Sequence, residues 1–179
     1  MVQQADSTTL RPLTKAAFDE ACNNRGQARG ATLVGTGSDA YSIRCVNDDG
    51  SADEFDRPEQ IHQLVSEACQ LTYPGVSEID RLATMGETYT GWECATFAGY
   101  SGSPDLEGWC KAKGLDLINR EDVKYPAYKW FCAHSGNSGV VGISVEDVCK
   151  WQYGENALDR VSNVYGEEIG DAWDCFYVE

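Results

Sequence analysis

The chain has 179 residues, eight cysteines and a formal net charge of -15 at neutral pH. An excess of acids spread along the whole chain disfavours nucleic acids and anionic membranes as partners, because both select for Lys and Arg. No run of about 18 apolar residues is present to span a bilayer, so we expect no membrane insertion.

Four segments are predicted in chain order. A polar stretch rich in Gln, Ser and Thr predicts a flexible tail at 1–13, and the small, turn-prone stretch AGYSGSP predicts a linker at 98–103. Cysteine-rich modules are predicted on either side of this linker, at 14–97 and 104–179.

Each module is predicted to contain two short helices, each with one cysteine. An apolar residue stands four positions before each of these cysteines and so shares its helix face; the pairs are Phe18 and Cys22, Val65 and Cys69, Leu106 and Cys110, and Val145 and Cys149. A glycine follows each cysteine within six residues and predicts the end of the helix; these are Gly26, Gly75, Gly114 and Gly154.

The other four cysteines each lie on a predicted strand. The residue two positions earlier shares the strand face of the cysteine; these residues are Ile43, Trp92, Trp130 and Trp173. Their repetition at matched positions predicts that they belong to the core. A helix followed by a strand is therefore the unit that repeats.

The repeat also predicts how the cysteines pair. Four cysteines in a module allow three pairings, and only one of them closes every helix–strand unit in the same way. The predicted disulfides are Cys22–Cys45, Cys69–Cys94, Cys110–Cys132 and Cys149–Cys175.

Longer similarities group the units into modules. AYSIRC (40–45) parallels AYKWFC (127–132), and IDRL (79–82) parallels LDRV (158–161). The predicted fold class is α+β, with two tandem homologous disulfide-bonded modules, each of two short helices packed on a small antiparallel sheet.

The motifs AYKWFC, CKWQYG and AWDC of the second module, and less closely AYSIRC and GWEC of the first, resemble a family of small cysteine-rich modules. Such modules occur, often in tandem, in secreted proteins of actinobacteria and other bacteria. The resemblance covers nearly the whole chain and implies secretion and disulfide bonds, but no particular activity. The first module departs from the pattern at Ile43 and Leu71, where the second has Trp130 and Trp151.

The spacing of the cysteines indicates whether the protein belongs to an oxidising or a reducing compartment. No C-x2-C pair is present to hold a structural zinc ion, whereas an even number of widely spaced cysteines fits disulfides in an oxidising compartment. We therefore predict a secreted, extracellular protein, and eight buried free thiols in a cytosolic protein remain the alternative. The opening MVQQADSTTLRPL has no signal-peptide pattern, so we expect the signal sequence of a secreted protein to be missing from this chain.

Few residues are candidates for catalysis. His62 is predicted on the polar face of a helix, and His134 beside Ser135 in a flexible loop. A Ser–His pair requires a third group to orient the imidazole and an oxyanion donor, and no such motif is found. We predict that the protein is not an enzyme.

The segment Val46 to Asp56 concentrates five acids around Gly50. Clustered oxygen ligands favour calcium, but in EF-hand register the first ligand position would be Cys45. We predict a solvated turn and no cofactor, and a weak, irregular calcium site near Asp48, Asp49 and Asp53 stays the alternative.

The repeated steps Asp80–Arg81 and Asp159–Arg160 are predicted to be structural. Neighbouring residues of a strand point to opposite faces, so an adjacent Asp and Arg cannot grip one ligand group together. Each Arg is expected to reach a neighbouring carboxylate instead.

Aromatic residues indicate a binding site. Module 2 carries aromatic area that the common fold does not require, because several module 1 counterparts are small, with Ala21 opposite Trp109, Gly86 opposite Tyr165 and Thr96 opposite Tyr177. We predict ligand binding by Trp109, Tyr125, Tyr165 and Tyr177. A core position for Trp109 stays equally open, because it lies three residues after Leu106 on the same predicted helix.

The predicted function is a non-catalytic binding module for a glycan or cell-surface polymer. An aromatic ring bordered by acids and amides can bury the apolar face of a sugar while the polar groups orient its hydroxyls. The alternative is an extracellular structural or protein-interaction subunit, either of a surface assembly or as an inhibitor.

Overall fold

The computed structural model describes residues 11–35, 38–54, 59–75, 77–136 and 139–178. The chain divides into two compact units, unit 1 comprising residues 1–97 with 179 and unit 2 residues 98–178. Each unit is described by itself.

Unit 1 combines two main helices with short antiparallel strands. Its elements are β1 (Arg11–Pro12), α1 (Lys15–Asn24), β2 (Ala31–Leu33), β3 (Ile43–Cys45), α2 (Glu59–Thr72), β4 (Glu78–Leu82) and β5 (Trp92–Gly102), with 3-10 helices at Ala40–Ser42 and Tyr89–Gly91. Strand β5 pairs antiparallel with both β1 and β4, and β2 pairs antiparallel with β3.

Unit 2 has the same kinds of element in a similar order. They are α3 (Leu106–Ala112), β6 (Asp116–Asn119), β7 (Trp130–Ala133), β8 (Val140–Gly142), α4 (Val145–Tyr153), β9 (Ala157–Val161), α5 (Ile169–Ala172) and β10 (Trp173–Val178), with a 3-10 helix at Pro126–Tyr128. Strand β7 pairs with β6 and β8, and β9 pairs with β10, all antiparallel. The predicted α+β class with small antiparallel sheets is confirmed.

All four predicted disulfides are present, and each joins a helix to a strand. The eight cysteines are at most 2% exposed, because each helix cysteine follows an apolar residue on the buried helix face. The glycines predicted to end the helices all have positive φ, in the region that favours glycine: Gly26, Gly75, Gly114 and Gly154.

Two segments differ from the prediction. The flexible tail is predicted at 1–13, and its residues 1–10 lie outside the described residues. In its described part β1 pairs with β5, and the amide of Leu13 donates to the Trp92 carbonyl at 2.8 Å. The Leu13 side chain is buried, so its apolar contacts hold this segment. The linker predicted at 98–103 is not a turn-rich segment, because strand β5 continues through it as far as Gly102.

The predicted core tryptophans hold matched local contacts in the two units. In unit 1 the Trp92 indole Nε1 donates to the Ala40 carbonyl at 2.8 Å, and the Tyr41 ring packs edge-on against the indole. In unit 2 the Trp173 Nε1 donates to the Ala127 carbonyl at 2.8 Å, and Tyr128 packs edge-on in the same way.

Of the matched residues that precede strand cysteines, Ile43, Trp92 and Trp173 are buried. Trp130 is only half-buried. Its indole nitrogen is buried, however, and has no hydrogen-bond partner among the described residues.

Candidate functional site

The four aromatic residues predicted to bind a ligand differ in exposure. Tyr165 is 54% exposed and Tyr177 37%, whereas Tyr125 is only 7% exposed and Trp109 is half-buried. Burial of Tyr125 means that most of its ring serves the packing of unit 2. The structure distributes the four over three places on this unit.

Trp109 forms a pair with Trp151, which the sequence analysis did not include among the binding residues. The two indoles lie on α3 and α4, with ring centroids 5.7 Å apart and planes at 69°. One side of Trp109 packs on the core cluster around Cys110 and Cys132, while Trp151 is 48% exposed. Together, Trp109 and Trp151 are the tryptophan pair.

The surroundings of the tryptophan pair are polar. The Lys113 ammonium lies 4.2 Å from the centroid of the Trp109 ring, at cation–π distance. Exposed Gln152 follows Trp151 directly in the chain, and its Oε1 accepts from the amide of exposed Asp105 at 2.8 Å. An ammonium thus contacts the Trp109 ring, and the exposed residues Gln152 and Asp105 lie near the two tryptophans in sequence.

Tyr125 and Tyr165 form a second pair, the tyrosine pair. Their ring centroids are 6.0 Å apart with planes at 73°. The Lys124 ammonium lies 4.9 Å from the centroid of the Tyr125 ring, and the Tyr165 amide donates to Asn163 Oδ1 at 3.1 Å, which holds the turn that presents the exposed ring. Tyr177 lies apart on β10, opposite Ala157 of β9.

An ion pair between buried Lys129 and exposed Glu167 lies close to the tyrosine pair in sequence. Lys129 is 7% exposed, and its Nζ donates to Glu167 at 2.5 Å. This hydrogen bond and the charge of Glu167 raise the pKa of Lys129. The lysine therefore keeps its charge and fixes the loop that follows Tyr165.

Unit 1 buries several ionisable side chains. His62 is 6% exposed, its Nδ1 lies 2.7 Å from Asp80 Oδ2, and its ring packs edge-on against Trp92. The prediction that His62 lies on a solvated helix face is wrong. It is three residues before Val65 and seven before Cys69, so it belongs to the buried stripe of α2.

The prediction for the first Asp–Arg step is confirmed. Arg81 and Glu93 are 5% and 8% exposed and form a hydrogen-bonded ion pair. Adjacent Asp80 contacts His62 from the other face of β4. These residues hold each other in the interior of the protein.

The acidic segment after β3 forms a turn in its described part. Val46 bridges to Ala52, and the Gln27 Nε2 donates to Asn47 Oδ1 at 2.8 Å and to Asp53 Oδ1 at 2.7 Å. Asp49 accepts from the hydroxyl and amide of Ser51, which lowers its pKa. Phe55 and Asp56 lie outside the described residues.

Side-chain oxygens of Asn47, Asp49 and Asp53 thus accept hydrogen bonds from protein donors. Among the residues that the structure describes, no group of three or more His, Cys, Asp or Glu side chains is placed to hold a metal ion. The predicted alternative of a calcium site near Asp48, Asp49 and Asp53 therefore has no supporting geometry in these residues. The second histidine, His134, is exposed on the turn after β7.

Glu78→Gln is expected to raise the free energy of unfolding at neutral pH by about 1 kcal/mol. The Glu78 side chain is fully buried 3.5 Å from Arg11, and burial raises the pKa of its carboxyl above the usual 4.5. The ionised carboxylate therefore destabilises the fold above the folded-state pKa, and the penalty disappears below the unfolded-state pKa.

Urea unfolding of the wild type and Glu78→Gln at neutral and acidic pH measures this difference. Exposed Glu20, replaced by Gln, is the matched control and should change stability little at either pH. An equal gain for Glu78→Gln at both pH values would contradict the assignment of the gain to ionisation.

Comparisons with known proteins do not identify a family. No protein-family model, curated protein or solved structure matches the chain. Among the described residues, no helix is long and apolar enough to cross a bilayer. Four disulfides are consistent with an extracellular protein.

Proposed function

We propose that the protein is a secreted, non-catalytic binding protein for a glycan or cell-surface polymer, with its ligand site at the tryptophan pair of unit 2. The two units are, in this proposal, tandem homologous modules. Module 1 is the scaffold copy, and module 2 carries the binding surface. Tyr165 of the tyrosine pair and Tyr177 are, in this proposal, further exposed rings at separate places on the unit that a polymeric ligand can contact.

Matched contacts support the tandem-module part of the proposal. Besides the disulfides and the tryptophan hydrogen bonds, both units repeat one turn geometry. The amides of Ala83 and Thr84 both donate to the Gly91 carbonyl, and those of Ser162 and Asn163 both donate to the Ala172 carbonyl. Backbone bonds at corresponding sequence positions are what a duplicated module would retain.

The distribution of exposed apolar side chains carries the binding part of the proposal. The most exposed large hydrophobic side chains of the described residues all lie in unit 2: Tyr100, Val140, Val141, Trp151, Tyr165 and Tyr177. A contiguous exposed apolar patch with polar residues around it often marks a binding site, and the two indoles of the tryptophan pair are in contact. A sugar fits this surface because its C–H face packs on an indole while its hydroxyls bind amides and carboxylates.

Charge narrows the class of ligand. The net charge of -15 opposes polyanions, so neutral or amine-bearing glycans are favoured over uronic-acid or sulfated ones. The Lys113 ammonium makes a cation–π contact with the Trp109 ring, so one positive charge lies at the proposed site.

Trp151→Ala is expected to weaken binding of a neutral glycan by about tenfold, which corresponds to the loss of one aromatic stacking contact of about 1.4 kcal/mol. The measurement is a titration of a glycan panel, neutral and anionic, followed by tryptophan fluorescence and calorimetry, with added calcium and with chelator. Because Trp151 is about half exposed, its removal should leave the melting temperature nearly unchanged.

Leu71→Ala is the matched control, because Leu71 holds the corresponding position after Cys69 in module 1. It should leave glycan affinity intact. Saturable binding that Trp151→Ala does not weaken would exclude the tryptophan pair as the site, and Tyr165→Ala would then test the tyrosine pair.

A structural or protein-interaction subunit is the second candidate. Val140 and Val141 are 46% and 45% exposed on β8, which lies at the edge of the sheet of β6, β7 and β8. An exposed apolar edge strand is a site where another chain can add a strand. Absence of binding across the glycan panel, together with concentration-dependent association abolished by Val141→Lys, would favour this function.

A further inference from the structure

A chain of hydrogen bonds connects α4 to the segment that leads into α3. The Gln152 Oε1 accepts from the Asp105 amide at 2.8 Å, and its Nε2 donates to the Tyr153 hydroxyl at 2.9 Å. That hydroxyl donates to the Ser103 carbonyl at 3.1 Å. Gln152 and Tyr153, with these three bonds, are called the hydrogen-bond chain.

Two residues joined by the hydrogen-bond chain, Gln152 and Asp105, lie near the two members of the tryptophan pair. Gln152 directly follows Trp151. Asp105 is the N-cap of α3, with its Oδ1 accepting from Gly108, and its carbonyl accepts from the Trp109 amide one turn later at 3.0 Å. The hydrogen-bond chain therefore fixes the start of α3 relative to the end of α4. Because the two indoles lie on these helices, it also fixes the distance between them.

The backbone makes room for this arrangement at Gly102. A Cβ at this position would lie 2.5 Å from the Tyr153 hydroxyl oxygen, and the residue has a φ of +143°. A side chain there would push the hydroxyl away from the Ser103 carbonyl. Glycine is thus the residue that permits the tyrosine to close the chain.

The helices, strands and disulfides that the two modules share form without these hydrogen bonds. Positions matched from the helix cysteines hold Ala17 in place of Asp105, and Thr72 and Tyr73 in place of Gln152 and Tyr153. Unit 1 has the same helix-to-strand disulfides without such a chain among its described bonds. The side chains of Asp105 and Gln152 are also exposed, where a hydrogen bond contributes little to stability.

We propose that Gln152 and Tyr153 are positioning residues that pre-organise the tryptophan pair for its ligand. This inference rests on the proposed function, since it concerns the same site. Holding both indoles in the binding geometry before the ligand arrives reduces the entropy lost on binding. A loss of the chain should therefore lower affinity through the geometry of the pair rather than through global stability.

The test compares Tyr153→Phe and Gln152→Ala in the full chain by circular dichroism and by glycan titration. Two indoles this close give an exciton couplet in the far ultraviolet, and loss of the couplet in Trp151→Phe assigns it to the tryptophan pair. We expect both variants to reduce the couplet and to weaken neutral-glycan affinity about threefold to tenfold. The melting temperature should shift by less than about 3 °C.

Tyr73→Phe, which removes the matched hydroxyl of module 1, is the control and should leave the couplet and the affinity unchanged. A couplet that survives in both variants would overturn the positioning role, whether or not affinity falls. So would a reduced couplet with unchanged affinity. Should Gln152→Ala fail to fold, Tyr153→Phe decides alone, because it removes a single hydroxyl.

The two proposals fail separately. If the wild type binds no glycan, the proposed function is wrong, but the couplet still reports whether the hydrogen-bond chain holds the indoles. If the wild type binds and both variants keep the couplet, the function stands and the positioning role does not.

Discussion

Replacing Arg81 with methionine is expected to lower the free energy of unfolding by about 3 to 5 kcal/mol. Arg81 and Glu93 are nearly fully buried on adjacent strands and form a hydrogen-bonded ion pair. Methionine has a similar volume but leaves the Glu93 carboxylate without the guanidinium. An uncompensated charge in the interior is the reason for the large loss.

The double variant Arg81→Met with Glu93→Leu is the matched control. Removing both charges leaves no unpaired ion, so the double variant should recover most of the stability that the single variant loses. Urea denaturation of the wild type, both single variants and the double variant gives the four free energies of unfolding of a double-mutant cycle. Additive losses would show that the two residues do not act as a pair.

Removal of the Cys149–Cys175 disulfide by a double alanine substitution is the second large effect, with an expected loss of about 3.5 kcal/mol. The bond joins α4 to β10 across a sequence separation of 26 residues. Without the disulfide, the unfolded chain has more conformational entropy, because the loop is no longer closed. Both cysteines are also buried in the core, so their replacement by alanine removes packed atoms. Thermal and urea unfolding under non-reducing conditions measure the loss.

The corresponding substitution in unit 1, at Cys69 and Cys94, tests the proposed repeat. Its sequence separation is 25 residues, so the chain-entropy argument predicts nearly the same loss. A large difference between the two double variants would show that the modules do not use their disulfides in the same way and would weaken the proposal that they are homologous.

The two units have similar secondary structure and disulfides but differ in where their ionisable and aromatic side chains lie. Unit 1 buries ionisable side chains: His62 of α2 contacts Asp80 on one face of β4, and Glu93 of β5 contacts Arg81 on the other. Unit 2 presents aromatic rings to the surface. This asymmetry is the reason to look for the ligand on unit 2 and for stability effects on unit 1.

Local spacing was enough to predict the disulfide frame. A cysteine four residues after an apolar residue lies on the buried face of a helix, and a cysteine two residues after Trp or Ile lies on a strand face. The recurrence of this spacing along the sequence predicted that each helix cysteine pairs with the strand cysteine that follows it, and these four bonds are present. The helix-ending glycines followed from the same kind of local rule, since a positive φ favours glycine at any helix end.

Contacts between distant segments were decided only by the tertiary structure. The sequence carried Trp151 in the motif CKWQYG, but nothing in local spacing placed it beside Trp109, 42 positions earlier in the chain. His62 was misassigned although its spacing to Val65 and Cys69 matched the buried stripe, because a polar residue is usually solvated unless a partner is buried with it. That partner, Asp80, is brought to it by the packing of α2 on β4. Periodicity thus determines which face of an element a side chain occupies, whereas its neighbours across that face depend on how the elements pack.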